Sequence, residues 1–199
     1  MSRFIETIQL RHGVLLNLEF HQLRFERTRR EVLGIRNHPR LADQISVPRG
    51  LDSGRLKCRV NYGRVIDLIE FEPQPERKVN SLKLVYSDTI EYGYKYADRK
   101  ELELLFHQRG ENDDILIVKK ACITDSFYAN VIFWDGVAWI TPDTPLLPGT
   151  MRAFLLNSEL IREERITPGD LKRFQKLKLI NAMNDLEHAP EISIDSIQP

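Results

Sequence analysis

Three stretches of this 199-residue chain hold side chains whose type and setting permit chemistry. In "EYGYKYADRKELELLF", Glu91 to Phe106, Lys95 stands between Tyr94 and Tyr96, just ahead of a run with helical spacing. A lysine set among aromatic rings loses hydration, which lowers its pKa and leaves a neutral amine able to attack a carbonyl carbon. The plainer alternative is a lysine stem laid along two packed rings with its ammonium in water. In "PLLPGTMRAFLL", Pro148 and Gly149 precede Thr150 and an amphipathic helix. The N–H groups and dipole at such a helix start suit a phosphate, although an ordinary start capped by Thr150 reads the same way. In "ITDSFYANVIFWDG", Asp125 comes before a strand apolar enough to be buried. A buried carboxylate requires a partner, and a protonated ring nitrogen would serve. The local backbone bonds of a turn would serve too. A carbonyl-binding amine, a phosphate seat and an acid for a ring nitrogen are together what pyridoxal phosphate requires.

Those residues need elements to carry them. "RFIETIQL", a turn at His12-Gly13 and "VLLNLEF" read as an opening strand pair. "FHQLRFERTRREVLG" reads as an amphipathic helix with Phe20, Leu23, Val32 and Leu33 on its apolar side and Gly34 as its stop. "RLKCRVNYG" and "RVIDLIEFE" alternate around Gly63 as a hairpin, and the polar, proline-bearing "EPQPERKVN" separates two lobes, residues 1–75 and 76–199. "SLKLVYS" is a further strand. A helix is expected from about Arg99 to Arg109, ending at Gly110. The second half adds strands "DDILIVKK", "YANVIFW", "VAWITP" and "KLKLINAM", with a type I′ turn expected at Asp135-Gly136 and a short capped helix in "ITPGDLKRF". Mixed helices and hairpins favour an α+β fold over a doubly wound sheet.

These motifs, in this order, resemble the class IV aminotransferases, the fold-type IV pyridoxal-phosphate enzymes, and most closely the aminodeoxychorismate lyases among them. The family carries "FETI" and then "H..R"; this chain has "IETI" with Thr7, and "HQLR" with His21 and Arg24. The family's lysine followed by "NR" corresponds to "KYADR", with Lys95, Asp98 and Arg99. Its "E...(S/A)N(L/I)F" corresponds to "TDSFYANVIF", with Asp125 and Asn130. Its "TP...L.G..R" corresponds to "TPDTPLLPGTMR", with Gly149, Thr150 and Arg152, and its late "CNA" to "INAM". The likeness runs from about Arg3 to Glu191. It implies that Lys95 bonds to the cofactor aldehyde and then moves the proton at the substrate carbon. Asp125 is implied as the partner of the pyridine nitrogen. Arg24, Gly149 and Thr150 would hold the phosphate, Thr7 would assist proton transfer, and Asn181 and Arg59 would contact substrate. The family has Glu where Asp125 stands and Asn where Asp98 stands. Its members also carry more chain ahead of "FETI", so the resemblance implies a two-lobed fold with a shortened N-terminal lobe, and a homodimer.

Competing functions remain at this level. A lyase would release pyruvate and 4-aminobenzoate from an amino substrate, serving folate synthesis. A transaminase for small or branched amino acids, or a pyridoxal-phosphate protein without catalysis, would share the cofactor residues. Lys+Arg and Asp+Glu both number 29, so no overall charge favours nucleic acid. "RFERTRREVLGIRNHPR" holds six arginines, but Glu26 and Glu31 interrupt it and a solvated helix face explains it better. The five histidines lack metal-ligand spacing, and Cys58 and Cys122 lie far apart without a CxxC pair. No metal, membrane or nucleic-acid partner is expected, and a cytoplasmic protein acting on a small amino substrate is.

Overall fold

A computed structural model describes residues 3–51, 54–75 and 77–199. The chain divides into two compact units, Met1–Glu76 with Tyr94–Asp98, and Arg77–Gly93 with Arg99–Pro199. The fold is α+β, as its alternation of hairpins and helices leads one to expect. The return of residues 94–98, and of Lys95 with them, to the first unit has no counterpart in composition.

The first unit is an antiparallel sheet covered by a helix. Strand β1 (Phe4–Arg11) turns through His12 and Gly13 into β2 (Val14–Leu15), helix α1 spans Leu18–Leu33, and a single turn, α2, spans Leu41–Gln44. Strands β3 (Arg55–Tyr62) and β4 (Ile66–Pro73) complete the order β2-β1-β3-β4. The expected second strand "VLLNLEF" is cut short because Asn17 takes a left-handed backbone, φ 52°, and starts the helix there. Gly34, φ 67°, stops α1 as expected, its N–H returning to Arg29 O. The buried face of α1 differs from the apolar one anticipated. Leu23 and Val32 are exposed, while His21, Arg24, Phe25, Thr28 and Arg29 face inward. Polar partners decide this: Arg29 Nη1 donates to the carbonyls of Gly63 and Arg64, and His21 and Arg24 meet Glu6. Phe4, Ile8, Phe25, Leu41, Cys58, Val60 and Tyr62 form the apolar core beneath.

The second unit is a larger sheet. Strand β5 (Leu82–Tyr86) leads to α3 (Lys100–Phe106), continued by a 3-10 turn over His107–Arg109 and stopped at Gly110. Then come β6 (Asp114–Lys119), β7 (Cys122–Ser126), β8 (Asn130–Trp134), β9 (Trp139–Pro142), α4 (Thr150–Asn157), β10 (Arg162–Glu164), β11 (Lys176–Ile180), β12 (Glu191–Ser193) and β13 (Ile197–Gln198). The path runs β10-β9-β8-β7-β6-β5-β13, with β11 joined to β8 and β12. Between β8 and β9 only Gly136 has positive φ; the side chain of Asp135 accepts from Val137 N and Ala138 N instead. The turn is therefore not type I′. Two successive positive φ angles occur at Lys120 and Ala121, which join β6 to β7 without the glycine or asparagine that usually marks such a turn. The "ITPGDLKRF" helix is a 3-10 segment, Pro168–Arg173, closed by a capping box between Thr167 and Asp170.

Candidate active site

In the first unit, Lys95 is anchored through its backbone. Its carbonyl accepts from Ile5 N at 3.0 Å, Phe4 bridges to Tyr96, and Ala97 N donates to Arg3 O. Tyr96 N also donates to Tyr94 O at 2.9 Å, a three-residue turn with Lys95 at its apex. The tyrosine rings secure this turn from both sides. Tyr96 packs on Phe4 with centroids 5.1 Å apart, and Tyr94 lies under the Arg27 guanidinium with its hydroxyl on Glu31. The flanking aromatics thus fasten the chain segment that carries the amine, and Lys95 itself is half-buried.

Arg24 lies on α1 with its Nε and Nη2 on the two oxygens of Glu6, at 3.0 and 2.5 Å. His21 Nδ1 meets the same carboxylate at 2.6 Å. All three side chains are buried. Burial alone would raise the Glu6 pKa, but the charge of Arg24 and the hydrogen bond with His21 outweigh it and hold the carboxyl at about 2. Burial pushes the His21 imidazole below its usual range. The sequence reading did not single out Glu6. The signal was present, since Glu6 shares strand parity with Phe4, Ile8 and Leu10 and so points to the core. Thr7 points to the opposite face, in register with Arg59, which in turn pairs with Glu70.

In the second unit, Asp125 and Asn130 form the single residue pair between β7 and β8. Asp125 is 5% exposed. Its Oδ1 accepts from Asn130 Nδ2 at 2.7 Å and its Oδ2 from Leu147 N at 2.9 Å. Burial is the dominant influence on its pKa and pushes it up to about 6, against the hydrogen bonds from Leu147 and Asn130 and the charge of Arg152. The Asn130 amide also donates to Leu147 O at 2.9 Å. A Cβ at Gly149 would lie 1.9 Å from Asn130 Oδ1, so only glycine allows this approach. Gly149 caps α4, where Ala153 N donates to Gly149 O. Thr150 is the first helical residue and is buried. Arg152 ties the same helix to β9 and β10, through Thr141 Oγ1, Pro142 O and Glu163. Asn181 lies apart from this cluster in its contacts; its Oδ1 accepts from Met183 N and Asn184 N and shapes its own turn.

The buried acid, the glycine at a helix start and the anchored lysine occur on a chain whose residues 3–187 match the family model Amino-transferase class IV. The chain belongs to that family. An uncharacterized protein of Haemophilus influenzae is 38% identical over 191 residues, covering 94% of this chain and all of the relative. A crystal structure from Haemophilus somnus, of a protein provisionally named a 4-amino-4-deoxychorismate lyase, is 34% identical and superposes with a TM-score of 0.88, covering 94% of this chain and 98% of that one. A Mycobacterium tuberculosis protein described as a hypothetical aminotransferase, solved with α-ketoglutarate and PMP, shares the fold at 16% identity and TM-score 0.81, over all of this chain and 83% of that one. As a class IV aminotransferase family member the protein is an enzyme. Its family-matched residues are divided between the units: Thr7, Arg24, Arg59 and Lys95 belong to the first, and Asp125, Gly149, Thr150 and Asn181 to the second.

Proposed function

We propose that this class IV family member is a pyridoxal-phosphate-dependent lyase that cleaves 4-amino-4-deoxychorismate to 4-aminobenzoate and pyruvate. The observation that carries the cofactor assignment is Asp125. It is a buried carboxylate whose pKa stays raised despite hydrogen bonds from Asn130 and Leu147, so a protonated ring nitrogen beside it would offset its desolvation. The glycine-started helix on the adjoining loop supports a phosphate seat. The 34% identical Haemophilus somnus protein supports the lyase reading.

When bound, the cofactor supplies an electron sink for the carbanion formed at the substrate carbon. The other tasks fall to side chains. Lys95 would be the residue that holds the cofactor aldehyde, and its amine would move the proton at the substrate carbon. Asp125 keeps the ring nitrogen protonated. By the family pattern, Arg24 would be a phosphate ligand, and the same role would fall in the second unit to Gly149 and Thr150. Thr7 assists the proton transfer that accompanies loss of enolpyruvate, and Arg59 and Asn181 contact the substrate. A homodimer acting in the cytoplasm is part of this proposal.

Transaminase activity is the second reading, favoured by the family's own description. Two assays on the cofactor-loaded enzyme separate them. A lyase releases pyruvate from aminodeoxychorismate and keeps its cofactor as the aldehyde. A transaminase converts the cofactor to its amine form with an amino acid alone. Tight cofactor binding with neither reaction would leave the non-catalytic role, and absence of cofactor binding would overturn the proposal.

A further inference from the structure

Asp125 and Asn130 face one another across the turn Ser126–Ala129, and no ladder aligns them, because β7 and β8 share only that pair. The turn must therefore set their register. Internally it closes through Ser126 N to Ala129 O at 2.9 Å, with Ser126 Oγ accepting from Ala129 N and Tyr128 N. Externally it is gripped at Phe127. The Phe127 N–H donates to Asp114 Oδ1 at 3.3 Å, and the Phe127 carbonyl accepts from Arg99 Nη2 at 2.5 Å. The Phe127 ring stacks on Phe106 with centroids 4.3 Å apart, and the Arg99 guanidinium lies 4.3 Å from its centre. Arg77 covers the Tyr128 ring at 4.6 Å and reaches within 3.8 Å of Asp114 Oδ2.

We propose that Arg99 and Asp114 are positioning residues that lock the Ser126–Ala129 turn and, through it, hold Asp125 against Asn130. The proposal deepens the reading of Asp125 as the ring partner and rests on it for its catalytic meaning. Fold stability alone does not account for the arrangement. Asp114 is fully buried, and its Oδ2 has no hydrogen-bond partner among the described residues. Such a carboxylate destabilises a fold compared with an apolar side chain of similar size. What it provides in return is direction: a carboxylate on one side and a guanidinium on the other fix both polar groups of one residue in the turn. Sites that must hold a functional acid to within a fraction of an ångström rely on such support.

The test uses the full chain in two arms. In the cofactor-free protein, NMR hydrogen exchange is read at the Asn130 side-chain amide and at Leu147 N–H, the two donors to Asp125. Arg99→Ala is expected to speed exchange there by about tenfold or more, the loss of one charge-assisted bond. Arg99→Lys, which restores a charged donor, should return it to within about threefold. Arg109→Ala removes a comparable guanidinium from Phe106 without touching the turn, and should leave both sites unchanged. If Arg99→Ala does not fold, Arg99→Gln is read in its place. Unchanged exchange at Asn130, or an equal rise across the whole chain, overturns the proposal. In the second arm, the Kd for pyridoxal phosphate is measured, and Arg99→Ala should raise it by about tenfold; a Kd equal to wild type would overturn the link from turn to site. Wild-type protein that fails to bind pyridoxal phosphate would overturn the ring-partner reading, while the exchange result would still stand for or against the clamp.

Discussion

Replacing Asp125 by Asn should make the cofactor-free protein more stable at alkaline pH while removing its hold on a ring nitrogen. The magnitude follows from the buried carboxyl. Its pKa is raised from the ordinary 3.8 to about 6. A folded pKa above the unfolded one favours folding when the group is protonated, and that stability is lost as pH rises through the folded value. A tenfold difference in acidity between the folded and unfolded protein corresponds to about 1.4 kcal/mol. The raised pKa of Asp125 therefore costs the fold about 3 kcal/mol at pH ~8, where the buried group is ionised, and about 1 kcal/mol at pH ~4.5, where only the unfolded chain ionises it. Asn keeps one acceptor oxygen and forfeits the bond from either Leu147 N or Asn130 Nδ2, a loss of about 1 kcal/mol. The variant should thus exceed wild type by about 2 kcal/mol at pH ~8 and match it at pH ~4.5. Urea unfolding at the two pH values measures both differences, and the raised pKa of Asp114 cancels between the proteins. A variant whose advantage over wild type is no larger at the higher pH than at the lower would refute the account of Asp125 as a buried carboxylate whose hydrogen bonds only partly offset its desolvation.

Borohydride reduction of the pyridoxal-phosphate-loaded protein followed by tryptic mapping should place the label on Lys95, and a label on another lysine would displace it. Gly149→Ala must push Asn130 Oδ1 away from a Cβ that would otherwise lie at 1.9 Å, so cofactor affinity should fall by about tenfold or more through loss of the Asn130 bond to Asp125. Affinity equal to wild type would show that the loop tolerates a side chain there. Glu6→Gln leaves Arg24 buried without its counter-ion, at about 3–5 kcal/mol, and should lower Tm by about 10 °C. Acid titration of the wild type should show the same network failing, since the stability contributed by a carboxyl held at about 2 is lost as pH falls from its unfolded pKa near 4.5 toward 2.

The Asp125–Asn130 pairing has a local origin, since the two stand five residues apart on either side of a turn, yet the sequence offered only a ring nitrogen or turn backbone as partners of Asp125. Gly149 was legible as the residue before a helix start, though nothing in sequence says that Asn130 makes the glycine obligatory. What the sequence hid is tertiary. The α1 face was misjudged because apolar spacing usually decides which side of a helix is buried, whereas here Glu6 and two β3–β4 turn carbonyls attract His21, Arg24 and Arg29 inward. The β6–β7 hairpin was hidden because Lys120 and Ala121 adopt left-handed angles that their types do not advertise. The return of residues 94–98 to the first unit depends on pairing with β1, a contact across about ninety residues of chain that no local pattern encodes.

In the second unit, the proposed ring acid and the proposed phosphate seat are one construction. The amide of Asn130 donates to Asp125 Oδ1 and to Leu147 O, while its oxygen occupies the space that any side chain at residue 149 would need. Leu147 closes the loop by donating its N–H to the other oxygen of Asp125. A four-membered circuit of acid, amide, loop peptide and glycine therefore fixes the start of α4 relative to β7. Each member restricts the next, so the position of Asp125 relative to Gly149 is held against loop motion. A family pattern with the longer Glu at this position has one more methylene to absorb such drift; with Asp125 the circuit leaves less slack. The geometry around Asn130 then decides whether the shorter acid can serve.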